Sequence, residues 1–148
     1  MGDALKTLES LTTTALDSVR GYELAAEKAT DPQLVSLLKD RASRRRQTVD
    51  KLNFEIARLG GERQTETSVT GDLHRKWVDI TNIFANDNAA AASAVEEGED
   101  YIAAKFKEAI QDGDWSPEAL GTLGDAYREI QEGERLSDRI ERMYKNAA

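Results

Sequence analysis

Helical spacing runs through almost the whole chain and is interrupted at a small number of helix-breaking residues. Apolar and small side chains recur at gaps of three and four, the period of one face of an α-helix. Pro32, Gly60-Gly61 and Pro117 interrupt the pattern, because proline cannot continue a helix interior and glycine readily ends one. No stretch of useful length alternates with the period of two that a strand requires. The pattern predicts an all-α protein built from long helices.

The spacing predicts four long helices. Capping or breaking residues set their limits: Asp3 before the first, Thr30-Asp31-Pro32 after it, Gly60-Gly61 after the second, Asn86-Asp87-Asn88 before the third, and Asp112-Gly113-Asp114 with Ser116-Pro117-Glu118 between the third and fourth. The apolar residues predicted to face inward are Leu5, Leu8, Ala15, Val19, Tyr22, Ala26, Ala29, Leu34, Leu38, Leu52, Ile56, Leu59, Ala91, Val95, Ile102, Phe106, Ala109, Leu123, Tyr127, Ile130, Ile140 and Tyr144. Each helix therefore has one stripe to bury against the others.

A long connection separates the second and third helices. Residues 62–69 are polar and aperiodic, which predicts a loop. A short amphipathic helix is predicted after it from the spacing of Leu73, Trp77, Ile80 and Phe84. The other connections are short, and short turns make neighbouring helices antiparallel. We therefore expect a ferritin-like four-helix bundle, in which two antiparallel hairpins are joined by a long crossover containing a short helix, as a single domain over residues 1–148.

Composition excludes several classes of protein. The chain has 148 residues and no cysteine, which removes disulfides, thiol catalysis and zinc fingers, and its one histidine, His74, rules out a site that needs two imidazoles. No apolar run approaches the ~20 residues of a membrane span, and no signal sequence is visible. The net charge of −8 opposes phosphate backbones. We predict a cytoplasmic protein without membrane or nucleic-acid partners.

The charge is distributed unevenly between the second and third helices. Residues 32–59 carry seven basic and three acidic side chains, whereas residues 87–114 carry two basic and eight acidic ones. Opposite signs favour placing these helices as neighbours, although exposed pairs contribute only ~0–1 kcal/mol each. The alternatives are solvated faces that happen to differ in sign, or an anion-binding patch from Arg41 to Arg46.

Bundles of this connectivity often hold two metal ions, which are bound by a characteristic set of ligands. This set requires a glutamate from each of two helices and a Glu-x-x-His pair from each of the other two. Glu23, Glu99 and Glu134 lie on or beside inward stripes, but Ser137 stands where a histidine is needed. We predict no metal, cofactor or catalytic residues. The alternative is a carboxylate-bridged dinuclear metal protein, handling iron or acting as an oxidase, that uses these three glutamates and a neighbouring acid.

The second helix places two arginines on its inward stripe, where a metal-binding bundle would place acids. The sequence predicts a polar core layer formed by Glu23, Arg41, Arg45, Glu99 and Glu134. Counting from the turn places Glu23 level with Arg41, so a pair across the hairpin is expected, and a guanidinium can satisfy a carboxylate with two parallel hydrogen bonds. The alternative is that all five side chains extend to water from the edges of the stripes.

These features favour a non-catalytic structural or protein-binding role. Association with copies of the chain or with another protein is expected, because Trp77, Phe84 and Trp115 could form apolar patches near the ends of the bundle. A small-molecule site between the helices is a further alternative.

Several segments together resemble a bacterial ferritin-like family of unknown function, whose members are usually labelled four-helix-bundle proteins. The matching segments are GYELAAEKA (21–29), DPQL (31–34), IARLGG (56–61), GDLHRKW (71–77), EEGED (96–100) and DRI (138–140). The resemblance covers nearly the whole chain. It implies a cytoplasmic ferritin-like bundle with no established catalytic activity and a loose association with stress physiology; it does not imply iron storage.

Overall fold

The computed structural model describes residues 2–67, 79 and 88–147. Over these residues the protein has no strand and consists of α1 (Gly2–Lys28), α2 (Pro32–Arg58), α3 (Asn88–Asp112) and α4 (Pro117–Ala147). The predicted all-α class with four long helices is confirmed. The predicted crossover helix and His74 lie outside the described residues. Within the described ranges, no helix combines the length and apolarity needed to cross a membrane.

The ends of α2 follow directly from the local sequence. Asp31 is its N-cap and accepts a hydrogen bond from the Gln33 backbone N–H at 3.0 Å, and Pro32 occupies the first turn. Gly60 follows the helix with φ +86°, a left-handed conformation that glycine adopts without a Cβ clash. The start of α1 differs from the prediction: the helix begins at Gly2, so Asp3 lies in its first turn, where a carboxylate still interacts favourably with the helix dipole.

Each helix packs against two others, α1 on α2 and α3, and α4 on α2 and α3. The helices α2 and α4 are antiparallel: Asp31, just before α2, contacts Tyr144 near the end of α4, whereas Arg41 contacts Glu129 earlier in α4. Because α1 and α4 each pack between α2 and α3, the helices α2 and α3 lie on a diagonal of the bundle. The prediction from their opposite charges that they are neighbours is therefore wrong.

Most of the apolar residues named above as facing inward are buried. Leu5, Ala29, Ala109, Tyr127 and Tyr144 are half-buried. The prediction is wrong for Leu59, which is 37% exposed because α2 ends at Arg58 and Leu59 caps it.

Candidate functional site

Arg45 lies in the core with a fully buried side chain and contacts residues of the other three helices. Its Nη1 and Nη2 donate to Glu99 Oε1 and Oε2 of α3 at 2.9 and 2.6 Å. Its Nε donates to Glu129 Oε1 of α4 at 2.7 Å, and Nη1 also donates to Ser18 Oγ of α1 at 2.9 Å. A buried guanidinium needs such partners, because an unpaired charge in the interior is strongly destabilising.

Glu129 joins a second arginine to this group. Arg41 Nη2 donates to the Glu129 carboxylate and, at 2.9 Å, to the Glu129 backbone carbonyl. Thr48 Oγ1 donates to Glu129 Oε1 at 2.8 Å. We call Arg41, Arg45, Glu99 and Glu129 the Arg45 cluster. Two cations face two anions in it, so the buried charge is balanced.

Both Arg45 and the adjacent tyrosine, Tyr22, stay protonated near neutral pH. Burial opposes the charge of Arg45, but the attraction and hydrogen bonds of Glu99, followed by the charge of Glu129, raise its pKa above the ordinary value. Tyr22 lies with its ring centroid 5.9 Å from Arg45 Cζ, and its pKa is raised mainly by burial and then by the charge of Glu99. Both groups keep their protons, so they do not serve as a general acid or base at that pH.

Gly133 of α4 makes room for the ion pair. A Cβ at this position would lie 2.0 Å from Glu99 Oε2 and 3.0 Å from Arg45 Nη2, closer than side-chain atoms pack. Ser137, one turn later, donates its hydroxyl to the Gly133 carbonyl at 2.8 Å and is buried. The stripe of α4 therefore presents a glycine and a serine next to the ion pair.

The structure brings together three of the five residues predicted for the polar layer, namely Arg41, Arg45 and Glu99. Glu23 is not among them. Its side chain is 40% exposed, and its Oε1 accepts a long hydrogen bond from Arg46 Nη2 at 3.4 Å. The carboxylate partner of Arg41 is Glu129 rather than the expected Glu23. Since Glu23 follows the inward-facing Tyr22 by one residue, it is rotated about 100° away from it around the helix and lies towards the outside of the α1–α2 hairpin.

Glu134 lies beside the cluster rather than within it. It is half-buried on α4, and its carboxyl group is hydrogen-bonded to Asp100 of α3. Desolvation, followed by the hydrogen bond and charge of Asp100, raises the pKa of Glu134 to about 7. Glu134 therefore keeps its proton up to nearly neutral pH.

Sequence reasoning missed Glu129, Ser18 and Gly133. Glu129 and Ser18 each precede a predicted inward residue by one position, so both could be recognised only as polar residues at the edge of a stripe. Gly133 lies one residue before Glu134, which the helical spacing places on the inward stripe. An arginine in a stripe signals that acceptors must lie nearby, although it does not identify them.

The donor set does not fit the dinuclear metal centre considered for Glu23, Glu99 and Glu134. Glu99 binds the guanidinium of Arg45 with both oxygens, and Glu23 faces Arg46 on the outside of the hairpin. A cation beside Glu99 would have to displace another positive charge. The three glutamates therefore do not converge on one ion.

A different group of carboxylates lies on α3 and α4. Glu96, Asp138 and Glu141 each offer one oxygen, and these oxygens lie within 4.8 Å of one another. Arg142 pairs with Asp138 at 2.7 Å, and Ser93 donates to Glu141 at 2.8 Å. These partners already serve two of the three carboxylates, and no metal site is assigned here.

A groove of about 970 Å³ opens at one end of the bundle, where the first turns of α1 meet the last turns of α3. Trp115 forms part of its wall, is half-buried, and donates its indole N–H to the Ala109 carbonyl at 2.8 Å. The groove is lined by residues other than those of the Arg45 cluster. Trp77 and Phe84, the other members of the expected apolar patches, lie outside the described residues.

The chain matches a known family over most of its length. The family model described as a domain of unknown function (DUF2383) matches residues 3–112, which include Arg41, Arg45 and Glu99. The helix α4, with Glu129 and Gly133, follows the matched range. A search of proteins with curated functions finds no significant match.

Proposed function

We propose that this chain, which belongs to the DUF2383 family, is a ferritin-like helical bundle with a structural or protein-binding role and no catalytic centre. The observation that carries the proposal is the buried pair of Arg45 and Glu99. It occupies the core where di-metal bundles of this connectivity gather carboxylates and histidines. A guanidinium satisfies the carboxylate there without a metal ion.

Helix directions support the ferritin-like topology. α1 and α2 are joined by a short turn and are antiparallel, as are α3 and α4. Since α2 and α4 are also antiparallel, α2 and α3 run in the same direction. The end of α2 and the start of α3 then lie at opposite ends of the bundle, and this placement fits the ferritin-like connectivity, which has one long crossover.

Charge balance within the Arg45 cluster favours a structural role over chemistry. Each cluster carboxylate is held by arginine, and the arginine charges are neutralised in return. Buried ion pairs can specify one packing arrangement because misaligned helices would leave charges unpaired. We infer that the cluster fixes the register of the four helices, which presents a rigid outer surface to partners.

Metal analysis tests the proposal. The protein is purified without chelators, and Fe, Mn and Zn are measured per chain; we expect far less than one equivalent of each. Stoichiometric Fe or Mn that is lost in Glu99→Gln but retained in Glu132→Gln, an exposed residue of α4, would overturn the proposal.

A second measurement does not depend on the folding of a variant. A ligand that binds only the native state raises its melting temperature. Adding Fe²⁺ or Mn²⁺ to the wild-type protein is expected to leave the melting temperature unchanged. A rise in the wild-type melting temperature that grows with the concentration of either metal would contradict the proposal.

A further inference from the structure

We propose that a groove on the outside of the α1–α2 hairpin binds the same groove of a second copy of this chain. The groove has a volume of about 560 Å³. Glu23 and Glu27 of α1 form one rim, and Lys39 and Arg46 of α2 form the other. We call this surface the hairpin groove. The inference rests on the proposed protein-binding role and assigns it a surface and a partner.

The two rims carry opposite charges and remain accessible. Glu27, Lys39 and Arg46 are exposed, and the Glu23 side chain is 40% exposed. Arg46 Nη2 donates to Glu23 Oε1 across the groove at 3.4 Å. This is a long contact, and the two side chains are 53% and 40% exposed. Exposed pairs of this kind contribute little to stability within a chain, so the rims can exchange these contacts for partners across an interface.

The floor of the groove is built from small side chains, including Ala26, Ala42 and Ser43. The distance between packed helices depends on the size of the side chains at the contact. Small residues here let another helix pair approach the backbones of α1 and α2. The charged rims then flank the contact, as charged side chains flank the apolar seam of a coiled coil.

Symmetry identifies a second copy as the occupant. A two-fold axis parallel to the helices, placed between two facing hairpin grooves, sets the acidic rim of each chain opposite the basic rim of the other at the same height. A two-fold interface must be complementary to itself, and a groove with one acidic and one basic rim meets that condition. Another protein would have to reproduce both charged rows at the same spacing.

Paired charge reversals test the arrangement. Sedimentation equilibrium of the wild-type protein over a range of concentrations is expected to show a monomer–dimer equilibrium. Glu23→Lys with Glu27→Lys makes both rims basic, and Lys39→Glu with Arg46→Glu makes both acidic. Each double variant alone is expected to raise the dimer dissociation constant at least about tenfold, since facing like charges repel across an interface.

Mixing the two double variants provides the sharpest result. The new lysines of one chain then face the new glutamates of the other, and the unchanged rims also face opposite charges, so a heterodimer is expected to form. The matched control for Glu23→Lys with Glu27→Lys is Asp125→Lys with Glu132→Lys. It makes the same change in net charge at exposed positions of α4. The control is expected to dimerise like the wild type.

Several results would overturn this inference: a monomeric wild-type protein at every concentration, dimers that persist in either double variant, or a mixture that fails to associate. Ser43→Trp serves as a variant that blocks the groove without changing its charge, and undiminished dimers in it would also count against the surface. Metal content is measured on the same samples. Stoichiometric iron in a dimeric protein would refute the proposed function alone, and a metal-free monomer would refute the dimer alone.

Discussion

Arg45 and Glu99 form an ion pair with two hydrogen bonds across the diagonal of the bundle, and both side chains are fully buried. One basic residue of α2 and one acidic residue of α3 therefore meet in the core, although the two helices are not neighbours. Removing two such charges from water costs several kcal/mol per ion, and this cost is offset only when the remaining donors and acceptors are also satisfied. Ser18 and Glu129 accept two further hydrogen bonds from Arg45.

Breaking this pair from one side is expected to destabilise the protein strongly. Arg45→Leu and Glu99→Leu should each lower the free energy of unfolding by about 3–5 kcal/mol, because each leaves an uncompensated buried charge. The combination should cost clearly less than the sum of the two single changes, since it removes both charges of the pair. Urea denaturation followed by circular dichroism measures all three values.

The exposed pair of Arg44 and Asp40 on the same helix serves as the control. Arg44→Leu should change the free energy of unfolding by no more than about 1 kcal/mol, as expected for a surface pair. Equal losses for Arg44→Leu and Arg45→Leu would show that burial of the guanidinium carries no special energetic weight.

Gly133 and Gly124 provide a comparison within one helix. Alanine is the better helix former by about 1 kcal/mol, and Gly124 has open space where a Cβ would lie. Gly124→Ala should therefore stabilise the protein by up to that amount. Gly133→Ala should destabilise it by about 1–3 kcal/mol, because its Cβ would overlap Glu99 Oε2 in a packed core. Thermal and urea denaturation would reveal the difference, and two stabilising substitutions would contradict the close approach.

Helical periodicity predicts which side chains enter the core, and it does so for charged residues as well. Arg41 and Arg45 occupy positions on the inward stripe of α2, and both are buried. The periodicity follows from backbone geometry alone, so one sequence is sufficient to find it.

The partners of these arginines are less accessible to sequence reasoning. Glu23 and Glu129 are each one residue away from an inward position, Tyr22 or Ile130. The position after Tyr22 lies on the outside of the hairpin, whereas the position before Ile130 faces α2. Whether such a glutamate reaches an arginine depends on which side of its helix the neighbouring helix lies and on the axial position of that arginine. Helical periodicity within one helix gives neither of these.

Tyr144 is expected to lower the pKa of Asp31, the N-cap of α2. Its hydroxyl donates to Asp31 Oδ2 at 2.7 Å, and this bond, with the Gln33 N–H, holds the pKa of Asp31 below its usual range. A depressed carboxyl pKa contributes stability above the pKa of the unfolded chain, and the contribution is lost as pH falls through the folded pKa. Tyr144→Phe should therefore raise the pKa of Asp31, measured by NMR titration, and lower stability at neutral pH.

The stability difference between Tyr144→Phe and the wild type should shrink in acid, where Asp31 is protonated in both proteins. Tyr127→Phe, a substitution of the same type earlier in α4, should leave the Asp31 pKa unchanged. An unchanged Asp31 pKa in Tyr144→Phe would show that the hydroxyl does not bind the carboxylate in solution.

Glu134 should make stability fall as the pH rises from about 4.5 to about 7. Its pKa is raised from an ordinary 4.5 to about 7, so the folded protein holds this proton more tightly than the unfolded chain. The resulting stabilisation is complete below the unfolded pKa and disappears as pH rises through about 7. Glu134→Gln keeps a neutral side chain throughout and should flatten the melting temperature between pH 4.5 and 7. Glu132→Gln, at an exposed neighbour, should retain the wild-type slope; an identical slope in Glu134→Gln would place the responsible proton elsewhere.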